Sequence, residues 1–200
     1  MKLQDQLPRG VKVGRRFYRM DFDYRRVLMM LETLARNDLI SEARDYLALR
    51  CVMKKPPRRA AVCVSVLAAV RELLFPDADK KQDEKRLTSF EQDADLIRAA
   101  FWQCYGVNLW RDKLHWVEFV ALLSGLPDGS RYTEILGIRA RPIPSANKYN
   151  QAEREWLIKA KAQCALKMTD EEQAQNYERC VQNVFAGLLA MVQKEVKNNA

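Results

Sequence analysis

The sequence predicts a mainly α fold, a helical bundle of about seven to eight helices with a small N-terminal β-hairpin, and three observations carry that expectation. Only seven glycines and seven prolines occur in 200 residues, whereas the helix formers Ala, Leu, Arg, Lys and Glu are plentiful. Apolar residues recur at i, i+3, i+4 and i+7 in several separate stretches. A hydrophobic content of 48% in a chain of this length is enough to bury a core.

The elements follow in order. Val11-Lys12-Val13 and Arg16-Phe17-Tyr18 flank Gly14-Arg15, which suits a two-residue hairpin with glycine supplying a positive φ. Tyr24, Val27, Leu28, Leu31, Leu34 and Ala35 have helical spacing, and Asp21 or Asp23 is available as the N-cap. A second helix carries Ile40, Ala43, Tyr46, Leu47 and Cys51 on its stripe and stops at Lys54-Lys55-Pro56-Pro57, because proline lacks the amide and restricts its predecessor. From Arg58 to Phe75 the chain is apolar almost all round, which predicts a central buried helix.

Residues 76–88 carry eight charges of both signs and no apolar period, the composition of a linker. Ser89 is placed to cap a helix with Phe90, Ala94, Ile97, Phe101 and Cys104 on one stripe, ended by Gly106. Leu114 to Leu123 predicts a buried helix closed by Ser124-Gly125-Leu126-Pro127. A short helix over Tyr132 to Gly137 leads to Arg139-Ala140-Arg141-Pro142-Ile143-Pro144, predicted to be extended. One helix is expected from about Asn147 to Lys167. The capping box Thr169-Asp170-Glu171-Glu172 starts another, whose apolar stripe is Tyr177, Val181, Val184, Leu188 and Met191 with Phe185 and Val192 beside it. The regions are thus a hairpin plus helical lobe (1–75), a charged linker (76–88), a second helical lobe (89–168) and a C-terminal amphipathic helix (169–200).

No catalytic, metal or cofactor site is predicted. Five scattered cysteines (51, 63, 104, 164 and 180) approach one another in sequence no closer than eleven intervening residues, and with one histidine they lack the paired spacing of a zinc site. Reduced, buried thiols are expected. His115 sits between Leu114 and Trp116 as a packing residue, with no nucleophile motif near it. Asp93 with Asp95, and Glu153 with Glu155, point to different faces of a helix and read as solvent-facing charges. There is no phosphate-cradling glycine loop. The start lacks an apolar signal region and Ala60 to Val70 is too short to span a bilayer, so a cytoplasmic protein off the membrane is expected.

Residues 1–60 contain 15 Lys plus Arg against 7 Asp plus Glu, a net charge equal to the +8 of the whole chain. The clusters Arg15-Arg16, Arg25-Arg26, Lys54-Lys55 and Arg58-Arg59, with Phe17 and Tyr18 nearby, read first as a solvated basic face, and alternatively could track phosphates or meet an acidic partner. No finger, ribonucleoprotein motif or recognition helix accompanies them, so any nucleic-acid binding is expected to be weak and non-specific.

Four segments carry a resemblance: Tyr18 to Tyr24, Ser89 to Phe101, Tyr105-Gly106-Val107-Asn108-Leu109, and Leu114 to Pro127. In order and spacing they resemble the bacteriophage gene-product-fifteen family over about residues 11 to 168, with Ile138-Arg139-Ala140-Arg141 following. Val117 stands where the family often has tryptophan and Asn108 where aspartate is common. The resemblance implies a protein of the tail region of long-tailed phages, a tail assembly chaperone that shields the tape-measure protein in the host cytoplasm and is absent from the mature virion. The tail tube protein and a second copy are further partners it suggests. The C-terminal stripe, Tyr177, Val181, Val184, Phe185, Leu188 and Val192, is one candidate client surface, with burial as core the alternative. The other readings are a basic nucleic-acid-binding accessory protein, which salt-sensitive affinity would reveal, and a minor structural or tail-completion subunit, which would persist in finished virions.

Overall fold

The computed structural model describes residues 5–76 and 87–167. Among them the chain forms two strands and seven helices: β1 (Gly10–Val13), β2 (Arg16–Arg19), α1 (Tyr24–Leu34), α2 (Ser41–Val52), α3 (Ala60–Leu74), α4 (Ala94–Tyr105), α5 (Trp116–Ser124), α6 (Arg131–Ala140) and α7 (Gln151–Cys164). The predicted linker falls mostly, and the C-terminal helix with its stripe entirely, outside the described residues. The chain forms two compact units, one ending at Ala140 and the other beginning at Arg141.

In the first unit β1 and β2 pair antiparallel, with Val13 opposite Arg16, so Gly14-Arg15 is the whole loop. Gly14 has φ +58°, a value a Cβ disfavours, which is why this position takes glycine. Val11 turns into the core and β1 lies against α3. Asp23 is the N-cap of α1, its carboxylate accepting from Arg25 N at 3.0 Å. Asp21 instead accepts from Asp23 N at 3.2 Å and so fixes the capping residue.

Two helices bury different faces from those expected. On α2 the covered residues are Ala48, Leu49 and Val52, while Ile40, Tyr46 and Leu47 remain exposed. Both sets fit a helical period; packing against α1 and α3 selects the first. On α3 only Cys63, Val66, Val70 and Leu74 are buried. The helix is therefore not enclosed all round: Val64 is 55% exposed and Leu73 37%.

The chain enters α4 through a single turn. Ser89 O accepts from Asp93 N at 2.9 Å and Ser89 Oγ from Gln92 N at 3.3 Å, so Ser89 caps this turn, and the helix itself starts at Ala94. Phe90 consequently leaves the α4 stripe and lays its ring against Trp116 and Phe119. Gly106, with φ +67°, ends α4 as expected.

Segments far apart in sequence then meet. Tyr24 N donates to Leu114 O at 3.0 Å and Trp116 N to Phe22 O at 2.8 Å, a short antiparallel bridge that sets α1 beside α5. His115 is the N-cap of α5. Its Nδ1 accepts from Val117 N at 3.2 Å, its own amide donates to Glu118 Oε2 at 3.1 Å, and its Nε2 lies 3.0 Å from Pro8 O. Accepting at Nδ1 places the hydrogen on Nε2, which donates to Pro8. Below this bridge Phe119 stacks on Tyr24, Phe101 and Trp116 at centroid distances of 4.7, 5.3 and 5.7 Å. Each such pair contributes roughly 0.5–1.5 kcal/mol beyond burial.

Asp93 corrects the expectation of a solvent-facing charge. It is 1% exposed. Its two oxygens take a bidentate pair from Arg139, both at 2.8 Å, and Oδ2 also accepts from Ser89 N at 3.0 Å and Thr88 Oγ1 at 3.3 Å. Arg139 donates further to Leu87 O at 2.9 Å, and Thr88 meets Tyr132 Oη at 2.9 Å. Arg139 therefore belongs to α6, which continues to Ala140 where an extended connector was expected from 139.

In the second unit α7 begins at Gln151, later than the Asn147 expected, because Asn147 and Asn150 make a turn: Asn147 N donates to Asn150 Oδ1 and Tyr149 N to Asn147 Oδ1, each at 2.9 Å. Arg141 pairs with Glu153, and Arg154 donates to Pro144 O. Leu157 is the buried residue of α7.

Burial pushes the Asp93 carboxyl up, but the Arg139 hydrogen bonds, the Ser89 amide, the Arg139 charge and Thr88 outweigh it and hold the group below its ordinary value of 3.8. The folded value lies under the unfolded one, so the pair's stabilisation is full above pH 3.8 and is lost as pH falls through the lower folded value. Asp93→Ala should destabilise the fold by about 3–5 kcal/mol in urea titrations at neutral pH, because it removes the carboxylate that balances the largely buried Arg139 charge. The deficit relative to wild type should shrink as the pH is taken below 3.8.

Candidate partner-binding surfaces

Surfaces, more than reaction centres, distinguish the described residues. Among them no group of three or more His, Cys, Asp or Glu is placed to hold a metal ion, and no helix is long and apolar enough to cross a membrane. His115 has both ring nitrogens occupied in capping and anchoring, so its role here is structural. Cys51, Cys63 and Cys104 carry free thiols, and only Cys63 is fully buried. Burial, with the negative charge of Asp45 adding to it, pushes the Cys63 thiol up; its Sγ donates to Pro57 O at 3.1 Å.

The first surface follows from the one-sided burial of α3. Its uncovered side and the facing side of α1 enclose an apolar groove of about 480 Å³. Leu31 and Leu34 of α1 form one wall, and Val64, Leu67 and Ala68 of α3 the other. Met30 and Val70 are buried floor, whereas Val64 and Ala68 stand exposed at the rim. Asp45 and Arg71 are the charged residues of an otherwise apolar lining.

The second surface gathers the basic clusters. A cleft of about 1030 Å³ lies between β2 and the connector from α2 to α3. Arg16, Phe17, Tyr18, Arg26, Lys54, Lys55 and Arg58, all noted in sequence, line it together, and Arg9 and Arg19 join them. Arg15, Arg25 and Arg59 do not line it. Arg25 instead donates to Leu109 O at 3.1 Å and to Asp112 O at 2.6 Å, holding α1 to the loop before α5. Asp21 is the cleft's carboxylate, and it is bridged to Arg26 at 3.1 Å.

A third exposed feature was not read from the sequence. Trp102 and Trp110, 56% and 71% exposed, border a smaller depression of about 350 Å³ together with Arg98. The Arg98 guanidinium lies 5.0 Å from the centre of the Trp110 ring. Two bulky aromatics off the apolar stripe of their own segment were the available signal. The candidate client residues Tyr177, Val181, Val184, Phe185, Leu188 and Val192 lie outside the described residues.

The segments behind the resemblance are the ones that build the core: Phe22 and Tyr24 meet Leu114 and Trp116, and Phe101 meets Phe119. Residues 3–166 match the family described as Bacteriophage Gp15 protein. The chain belongs to that family. No curated protein and no solved structure matches this Gp15-family chain. Most of the shared stretch is therefore the scaffold that carries both the groove and the cleft, and the C-terminal residues beyond 166 fall outside the match.

The groove makes a specific demand on its lining residues. Met30→Ala removes a side chain that is 1% exposed and should cost about 2–5 kcal/mol. Val64→Ser, at a 55% exposed rim position, should stay within about 0.5 kcal/mol of wild type. Paired denaturation curves check both.

Proposed function

We propose that this protein is a phage tail assembly chaperone that holds the tape-measure protein in the host cytoplasm until the tail tube forms, and then leaves the virion. The apolar groove between α1 and α3 carries the reading. Membership of a bacteriophage family supports the setting. The resemblance supplies the client, a long helical chain whose apolar faces are uncovered before assembly and would otherwise associate.

The chemistry of the groove suits such a client. An amphipathic helix presents apolar anchors at i, i+3, i+4 and i+7, and a strip lined by Met, Leu, Val and Ala accepts them without asking for particular polar partners. The half-buried Leu31, Leu34 and Leu67 can shift to fit different anchors, which suits transient holding of successive segments of a long client. A tail-completion subunit would need a permanent seat in the tail instead, and its presence in purified virions would distinguish it.

The test is co-expression. Wild-type protein should raise the soluble yield of the tape-measure product encoded by the same phage. Val64→Asp with Ala68→Asp puts carboxylates on the groove rim at exposed positions, so folding should survive while rescue is lost. Rescue by the double variant at wild-type level would remove the groove from the account, and no rescue by the wild type would remove the chaperone function.

A further inference from the structure

The basic cleft contains an open strand edge, and the two features together specify an occupant. Met20 N donates to Arg9 O at 2.9 Å, one step beyond the Gly10–Arg19 pair. Hydrogen-bonded pairs alternate along an antiparallel ladder, so Val11–Tyr18 and Val13–Arg16 exchange the β1–β2 bonds. The amides and carbonyls of Phe17 and Arg19 therefore point away from β1, to the free side of β2. Asp21 continues the same alternation, and its outward amide is taken by Val52 O at 2.7 Å. Val52 closes the edge at that end. Among the described residues no protein group meets the outward backbone of Phe17 and Arg19.

The walls around this edge are cationic. Arg9, Arg16, Arg19, Lys54, Lys55 and Arg58 line the cleft, and none has an ion pair among the described residues. Phe17, 60% exposed, stands among them. Arg16 lies with its guanidinium carbon 5.7 Å from the centre of the Tyr18 ring, two residues along on the same face. The opposite wall keeps its shape because Arg26 holds Cys51 O at 3.1 Å and Pro57 O accepts the Cys63 thiol.

We infer that this cleft binds an extended acidic segment of a partner protein, which adds as a strand to the outer edge of β2 and sets its carboxylates among the cleft cations. The strand edge selects a polypeptide, because only a peptide backbone offers alternating N–H and C=O groups at the spacing that Phe17 and Arg19 present. The surrounding charge selects acidic side chains and repels the same edge of a second copy, so self-association through β2 is disfavoured. Nucleic acid would satisfy the cations and leave the edge unpaired. This surface is separate from the apolar groove, and either can fail without the other.

A fluorescein-labelled peptide of alternating Glu and Thr serves as probe, with anisotropy as the readout at low ionic strength. Binding should be saturable, should weaken with added salt, and should slow hydrogen exchange at the Phe17 and Arg19 amides. Lys54→Glu with Lys55→Glu, at exposed positions, should weaken binding about tenfold or more with an unchanged melting curve. The same peptide N-methylated at alternate amides keeps its charge and loses its donors, and should also weaken about tenfold. Equal binding of the N-methylated peptide would overturn the strand addition. So would oligothymidine binding more tightly than the peptide, which would assign the cleft to nucleic acid, or the absence of saturable peptide binding, which would leave the charges as a guard on an exposed edge.

Discussion

The Phe119 ring is the constraint on which the first unit depends. It is 1% exposed and touches rings from α1, α4 and α5 and from the turn at Phe90, while Trp116 beside it reaches Phe75 at the end of α3. Stacked rings tolerate little displacement before contact is lost, because an interior packs at crystal density. The Tyr24–Leu114 and Phe22–Trp116 hydrogen bonds then register the two chain segments that supply most of those rings. The aromatic packing supplies energy without direction, and the backbone bridge supplies direction. Neither would specify a single arrangement alone.

Asp93 and Arg139 do for α4 and α6 what the bridge does for α1 and α5. A buried ion pair adds little net stability compared with an apolar pair, since desolvation offsets much of the attraction. Its effect is selective: the bidentate geometry, with Leu87, Thr88 and Ser89 tied in, admits one placement of α6 against the entry to α4. Here the cost of leaving either partner unpaired enforces the arrangement.

What the sequence disclosed and what it hid divide along physical lines. Local geometry was legible: Gly14 in the hairpin, an aspartate cap at 21 or 23 and Gly106 as a stop each follow from the residue and its immediate neighbours, and the structure selects Asp23. The choice of buried face on α2 was not, because its hydrophobic spacing supports two rotations and only the facing helices decide between them. Asp93 was misplaced for a related reason. A carboxylate looks solvated unless its partner is known, and Arg139 is 46 residues away. The basic clusters were legible as charge, but that Arg16 and Lys54 share a cleft while Arg25 turns away to Leu109 depends on the hairpin folding back over the α2–α3 connector.

The apolar composition of α3 was read as full burial, and the structure leaves one flank of the helix uncovered. A helix that is apolar on all sides normally sits inside a larger protein; here Cys63, Val66, Val70 and Leu74 meet the core and Val64, Ala68 and Leu73 do not. Exposed apolar groups on one flank of a packed helix gain nothing for the isolated fold and raise its tendency to associate. They are consistent with selection for a surface covered part of the time. The groove floor is rigid, since Met30 and Val70 belong to the core, so a bound helix need not order its own binding site. Under the proposed chaperone function, preorganisation of that kind would spare the cost of ordering the site, and an apolar strip of this size would keep the hold reversible.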